Sequence, residues 1–377
     1  MNPAFEENYL PGRQEGLRKI RILVAPLDWG LGHATRCIPV IYGLLKQECE
    51  VWIAAEDPQK ALLEQEFPEL NFLPLPGYRI RYGRSAVGML WSMFSQAGKI
   101  RHAIRQENIW LKRMVDEHRF DAVISDNRYG LYHSSVPCIF ITHQLTIKSP
   151  LGKWNERLLQ KWNYKYINRF SACWVPDEEG ENNLGGELSH PLKKPGIPFH
   201  YIGSLSRFEK IKTEEKKDHI VVILSGPEPQ RSILEEKIIR DIAHYPGSAV
   251  IVRGLPSSAN IIPSANSILF YNHLSAEELN KEMARAEYII SRSGYSTIMD
   301  LVKLRKKSIL IPTPGQTEQE YLGRYLFQKQ LAFCISQQNF SLNSALQQAK
   351  NFVYHLPDLS TGDKLHSIIN QFIASVR

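Results

Sequence analysis

Short apolar runs alternate along almost the whole chain with segments whose apolar positions recur every three or four residues. Runs at Ile20–Pro26, Val51–Ala55, Asn71–Leu75, Ala122–Ser125, Cys138–Thr142 and Ala172–Pro176 predict strands in the first half. The rhythm restarts at Ile220–Leu224, Ala249–Val252, Ile268–Phe270, Tyr288–Ile290, Ser308–Ile311 and Ala332–Ile335. Between these runs the spacing is helical, as in Ala34, Ile38, Ile41 and Leu45 or Ile298, Leu301 and Val302. Strands that are apolar throughout, each followed by an amphipathic helix, make parallel sheets covered by helices. The rhythm breaks at Ser206–Asp218, where Lys210, Lys212, Glu214, Glu215, Lys216 and Lys217 leave little to bury. The expected division is a polar arm over 1–18, a first domain over 19–205, a linker over 206–218, a second domain over 219–360 and a helix over 361–377. The fold class is α/β, with two Rossmann-like domains facing a central cleft. In such folds ligands bind beyond the carboxyl ends of the strands.

The loops at those ends carry the candidate chemistry. After Ile22–Pro26 comes Leu27-Asp28-Trp29-Gly30-Leu31-Gly32-His33. Gly30 and Gly32 resemble the opening of a dinucleotide fingerprint, but Thr35 stands where the third glycine belongs, so that signal is weak. His33 is the candidate general base, since imidazole titrates near pH 6.5; Asp28 competes for the role. Asp126 and Asn127 end another predicted strand, and His143 ends the next, which puts all three on the rim of His33. Asp126 reads as a base, an orienter of His33 or a helix cap, while Asn127 and His143 are acceptor-side candidates. Arg253 reads equally as a phosphate partner or a solvated strand-end arginine.

The densest signal lies at Ser291-Arg292-Ser293-Gly294, followed by a helical run to Asp300, an apolar stretch ending at Pro312, and Gly315 to Glu320. A helix starting over Gly294–Ser296 aims unpaired backbone N–H groups and a positive dipole end at whatever lies above the preceding strand. Asp300 falls on the same helical face as Gly294 and Thr297, placed to take ribose hydroxyls. The competing reading is a plain helix start with a serine cap.

About residues 219–335 resemble the donor-binding half of bacterial peptidoglycan N-acetylglucosaminyltransferase and its glycosyltransferase relatives, in Ser291, Arg292, Ser293, Gly294, Asp300, Pro312, Gln319 and Glu320. The likeness extends to Gly30, Gly32, His33 and Pro39. It implies a GT-B-like fold and transfer of a sugar from a nucleotide-sugar, a UDP-sugar, to a hydroxyl acceptor that can be lipid-linked. It also implies donor contacts at Gly30, Gly32, Ser225, Gly226, Asn272, His273, Leu274, Ser293, Gly294, Tyr295, Asp300, Gln319 and Glu320, and a last helix that crosses back onto the first domain. Asp300 replaces the family's more usual glutamate and Glu320 a common second glutamine, so the nucleotide carries over more firmly than the sugar.

Composition narrows the rest. The chain has 377 residues, 43% of them hydrophobic and 23% charged, with a formal net charge of +7. The basic excess favours anionic partners, but there is no nucleic-acid recognition motif. Five cysteines without paired spacing suit a reducing cytoplasm. No Asp-x-Asp, His-Glu-x-x-His or cysteine-pair motif is present, so no dedicated metal cage is expected; the leading reading is an inverting, metal-independent transfer without a cofactor. No run is long enough to span a membrane, and Met1–Lys19 lacks the apolar core of a signal peptide. Basic and apolar residues mix over 79–115, with Trp154, Lys161, Trp162, Lys165 and Arg169 beyond. They read as ordinary amphipathic helices or as a patch for anionic lipid, which would place the protein peripherally on the inner face of the cell membrane. The alternatives are a nucleotide-sugar epimerase of the same fold and a non-catalytic nucleotide- or glycan-binding protein.

Overall fold

The computed structural model describes residues 18–78, 86–255, 259–265, 267–358 and 362–377, apart from the side chains of 86–97 and 362–363. The arm expected over 1–18 lies outside this range except for Arg18. The elements of the first half are β1 (Arg21–Pro26), α1 (Leu31–Lys46), β2 (Glu50–Ala55), α2 (Gln59–Glu66), β3 (Asn71–Pro74), α3 (Ala86–His118), β4 (Ala122–Asp126), β5 (Cys138–Ile141), α4 (Lys153–Ile167), β6 (Ala172–Val175) and β7 (Phe199–Tyr201). Those of the second are β8 (Lys216–Ile223), α5 (Gln230–Ile242), β9 (Ser248–Val252), β10 (Ile268–Tyr271), α6 (Ala276–Arg285), β11 (Ala286–Ser291), α7 (Tyr295–Lys303), β12 (Ser308–Leu310), α8 (Thr317–Gln328), β13 (Phe333–Cys334), α9 (Leu342–Asn351) and α10 (Gly362–Val376).

The strands form two sheets, ordered β3-β2-β1-β4-β5-β6-β7 and β10-β9-β8-β11-β12-β13, with parallel pairing throughout. Central β4 is buried at every position, whereas edge β10 alternates between half-buried and exposed. That contrast follows from helices covering both faces at the centre of a parallel sheet. In each sheet the order reverses beside the first strand, at β1/β4 and at β8/β11. Register then brings Pro26, Asp126 and Ile141 side by side in one sheet and Ile223, Ser291 and Leu310 in the other. The loops that follow these residues face the cleft.

Each of the twelve predicted runs falls in a strand. β7 has no counterpart among them, because its three residues include an exposed His200 and carry no apolar run. β8 begins at Lys216, inside the expected linker, and the front of that linker is fastened down: Phe208 is buried and Ser206 bonds to Asp300. The basic segment expected as a helix pair over 79–115 is a single helix, α3, over its described part. α10 lies against the first domain, with Ile369 touching Gly43 of α1 and Phe372 edge-on to Trp174 at 5.5 Å. Among the described residues no helix is long and apolar enough to cross a membrane.

Candidate functional site

His33 sits in the first turn of α1, which starts from Gly30 at φ 79 with no side-chain cap. Positive φ suits glycine and lets the chain turn directly from β1 into the helix. The turn aims His33 at the end of β4, where its Nδ1 lies 2.9 Å from Asp126 Oδ2. Asp126 is fully buried and is also gripped by Arg36, one turn after His33, through Nε at 2.9 and 3.0 Å and through Nη2. Arg36 Nη2 also lies 2.8 Å from His33 Nδ1. When Nδ1 carries the ring proton, it donates to Asp126 Oδ2. This tautomer leaves Nε2 with a lone pair. Burial and Arg36 hold the imidazole below its ordinary pKa, against the pull of Asp126. Burial works upward on Asp126, but Arg36 and His33 outweigh it and keep the carboxyl below its usual value. Both Asp126 oxygens are thus engaged by neighbouring side chains and closed off from solvent.

The cluster continues across the cleft. Arg36 Nη1 lies 3.2 Å from His143 Nδ1, and His143 Nε2 lies 2.8 Å from Glu318 Oε1, in the first turn of α8. With the proton on Nε2, both contacts are hydrogen bonds. Gln144 Nε2 donates to the other Glu318 oxygen. The His143 ring stacks on Tyr295 at 4.1 Å with the planes 1° apart. Beside it Ser296 Oγ donates to Gly32 O at 2.9 Å, and a Cβ on Gly32 would sit 2.9 Å from that same Oγ. Gly32 is therefore a close approach between the starts of α1 and α7. Arg36 and Glu318 are absent from the residues that the sequence singles out. Their partners lie 90 and 175 residues away, and only the one-turn spacing of Arg36 from His33 hints at a joint role.

The expected donor residues divide by what occupies their side chains. α7 begins at Gly294 with no side-chain cap, and the Ser293 hydroxyl donates instead to Gln319 O at 2.8 Å, so the serine-cap reading does not apply. A Cβ on Gly294 would meet nothing within 4 Å. Tyr295 is buried and its phenol donates to Pro176 O at 2.9 Å, which leaves only its backbone N–H for a ligand. Leu274 is buried too, while His273, Ser225 and Gly226 are exposed. Asp300 accepts from Ser206 Oγ at 2.6 Å, and burial pushes its pKa up to about 6 against that bond and Arg207. Gln319 folds onto its own loop, accepting from Thr313 N at 2.9 Å and donating to Gln316 at 2.6 Å, and Glu320 accepts from Gly315 N at 2.9 Å. Glu318 is the residue of that run that reaches the opposite domain.

Three further positions complete the rim. Asp28 lies with its carboxylate against the Gly77 backbone. Asn127 takes a left-handed φ of 60 and donates its N–H to Ile141 O. Arg253 is no solvated arginine, being buried and paired with Glu235 at 2.6 Å and Asn272 Oδ1 at 2.8 Å. Among the described residues there is no group of three or more His, Cys, Asp or Glu side chains placed to hold a metal ion.

Two sheets of this order, closed on a cleft at their switch points, define a GT-B-type fold. A spinosyn rhamnosyltransferase shares it with a TM-score of 0.65 at 14% identity, covering 94% of this chain and 100% of that one. MurG of Acinetobacter baumannii does so with a TM-score of 0.51 at 14% identity, covering 96% and 95%. Residues 272–357 match the glycosyltransferase family 28 C-terminal domain. The chain is also 20% identical over 329 residues to a UDP-N-acetylglucosamine–N-acetylmuramyl-(pentapeptide) pyrophosphoryl-undecaprenol N-acetylglucosamine transferase of Haemophilus ducreyi, covering 84% of this chain and 85% of that protein. The enzyme of the same description from Gloeothece citriformis is 22% identical over 343 residues, covering 85% and 84%. The fold is of the GT-B type and the enzyme a glycosyltransferase, as the sequence resemblance implies, and the family 28 match lies within residues 272–357 of the second domain.

Proposed function

We propose that the protein transfers a sugar from a UDP-sugar to the hydroxyl of a lipid-linked acceptor, with inversion and without a bound metal. The observation that carries this reading is the oriented His33–Asp126 pair, set against the uncapped start of α7 across the cleft. His33 Nε2 takes the proton of the acceptor hydroxyl, its oxygen bonds to the anomeric carbon, and the bond from that carbon to the diphosphate breaks. One displacement from the face opposite the leaving group inverts the centre. The leaving nucleoside diphosphate gathers negative charge, which the N–H groups at the start of α7 and of the Ser225–Gly226 loop stabilise by donating hydrogen bonds. Asp300 is the acceptor for the ribose hydroxyls. UDP as the donor nucleotide is supported by the names of the relatives in Haemophilus and Gloeothece.

The acceptor side rests on the first domain, where Asn127 and His143 line the rim. Its α4 carries Trp154 at 72% and Leu158 at 44% exposure, preceded by Leu151 at 60%, among exposed Lys153, Arg157 and Lys161. An exposed apolar row flanked by cations suits an anionic bilayer and supports a lipid-linked acceptor met at the membrane surface. The test is calorimetric titration with UDP, followed by assay of a UDP-sugar panel with a polyprenyl-diphosphate acceptor and determination of the product anomer. No binding of any nucleoside diphosphate would sink the reading; a product that retains the donor configuration would sink inversion alone.

A further inference from the structure

The second domain reaches the first through one face of α8. Thr317 Oγ1 donates to Lys148 O at 3.1 Å, Tyr321 Oη accepts from Glu187 N at 2.7 Å, and Tyr325 Oη donates to Asn183 Oδ1 at 2.7 Å. These three stand four residues apart, with Glu318 beside the first, so they share one helical face. Gly186, at φ +52, lies so close beneath that face that an added Cβ would strike Tyr321 Oη. The first domain is shaped to receive α8. The three hydroxyls end on the loops at 148 and 183–187, whereas Glu318 ends on His143, which is itself joined to Arg36.

A guanidinium has only protons to offer, so the 3.2 Å contact from Arg36 Nη1 to His143 Nδ1 is a hydrogen bond when that nitrogen keeps its lone pair. A neutral ring then carries its proton on Nε2, the atom 2.8 Å from Glu318 Oε1. The carboxylate is the acceptor that selects this tautomer. Gln144 donates to its other oxygen and fixes its plane, while Tyr295, also from the second domain, covers the face of the His143 ring at 4.1 Å. Arg36 is 2% exposed, so an Nη1–H that loses His143 finds little water in its place. The guanidinium would then re-aim, and the carboxylate it grips is the partner of His33 Nδ1.

We propose that Glu318 is a positioning residue for the transfer, an assignment that rests on His33 acting as the base. From the second domain it sets the tautomer of His143; His143 holds Arg36, and Arg36 holds Asp126 against His33. The base is complete only while α8 is docked. Gln319 and Glu320, the next two residues, secure the Thr313–Gly315 turn. The state of that turn therefore reaches the base on the opposite domain through one carboxylate.

The test reads both the tautomer and the kinetics. Long-range proton–nitrogen NMR spectra of histidine-labelled protein, with the His143 signal assigned by His143→Gln, should show the Nε2–H form in the wild type. Glu318→Gln keeps an oxygen for that proton and should retain the form; Glu318→Ala should give a mixture of tautomers. With the UDP-sugar panel and a polyprenyl-diphosphate acceptor, Glu318→Ala is expected to lower kcat about 10- to 100-fold, the effect of a small misplacement. Its donor KM should stay within about twofold of wild type, and Glu318→Gln should keep kcat within about fivefold. Tyr325→Phe removes a bond from the same face without touching His143, and should leave kcat within about twofold. Equal losses of kcat in Tyr325→Phe and Glu318→Ala would reduce Glu318 to a clamp, and a raised donor KM at unchanged kcat would place it on the sugar; either overturns the proposal. An unaltered Nε2–H signal in Glu318→Ala overturns it whether or not sugar is transferred. The expected spectra from a protein that turns over no UDP-sugar support the link from Glu318 to His143 and overturn the donor assignment alone.

Discussion

Asp126→Asn separates the structural role of the buried carboxylate from the proposed orientation of His33. In the wild type the carboxylate accepts from Arg36 and from His33 Nδ1 at no exposure to solvent. The amide keeps the shape and loses the charge. Arg36 is then buried with only neutral partners, which costs about 3–5 kcal/mol for a broken buried pair. For a domain of this size that lowers the melting temperature by about 10 °C. The chemical effect has a separate cause. Arg36 draws the oxygen of the substituted amide toward itself, so the amide NH₂ faces His33 Nδ1 and donates to it. The ring proton moves to Nε2, the lone pair that would take the acceptor proton is gone, and kcat falls by roughly 10²- to 10⁴-fold. The assay is initial-rate kinetics below the melting transition, with Arg36→Met/Asp126→Asn as the partner variant. The double variant replaces a buried ion pair with apolar and neutral groups, so it recovers most of the lost stability without the turnover. If Asp126→Asn keeps kcat within about threefold of wild type while its melting temperature drops, Asp126 does not orient the base and the tautomer argument is wrong.

Three other perturbations have expected outcomes. With the Asp300 pKa raised to about 6, the carboxylate must ionise to accept ribose hydroxyls, so UDP affinity should fall about tenfold per pH unit below 6; Asp300→Asn should bind weakly with a flat profile, and a flat wild-type profile would exclude the role. In the free protein the same raised pKa opposes ionisation, so the Asp300 contribution to stability is full below 3.8 and declines as pH rises to about 6, which the melting temperatures of wild type and Asp300→Asn compared across that window should resolve. Glu318→Ala removes the acceptor of His143 and Gln144 across the cleft; because the side chain is a third exposed, the expected loss is about 1 kcal/mol by denaturant titration, and no loss would mean the link is incidental. Gly43→Ala drives a methyl into Ile369 Cδ1 and should cost about 1–3 kcal/mol, less in an Ile369→Val background that lacks that atom, whereas an equal cost in both backgrounds would show that α10 yields without strain.

The division of the chain into strands and helices is open to reading because a parallel sheet covered on both faces demands unbroken apolar runs, and such runs are local. The register that puts Pro26, Asp126 and Ile141 abreast follows from strand order, and with it His33, Asp126 and His143 share one rim. Pairings are beyond local reading. Arg36 looks like an ordinary helical arginine until the end of β4 is brought beneath it. Arg253 looks solvated because Glu235 sits on α5 and Asn272 after β10, in different elements that tertiary packing joins. The run Glu318-Gln319-Glu320 shows the same limit within three residues. Helical geometry turns each side chain to a different side, and only the folded loop reveals that Glu318 crosses the cleft while Gln319 and Glu320 secure the Thr313–Gly315 turn. β7 stays hidden because three residues with an exposed histidine at the centre carry no periodic signal.

The docking of α10 on the first domain also bears on how the protein is made. A ribosome that has completed β7 must still synthesise the whole second sheet before Ile369 and Phe372 exist. Until then the α1 surface at Gly43 and the nearby edge of Trp174 have no cover, and the emerging first half carries an apolar groove that its own sequence cannot fill. Only once residues 362–376 have emerged can α10 seal the first domain, so a nascent or truncated first half is the form that a chaperone would hold or a protease would cut.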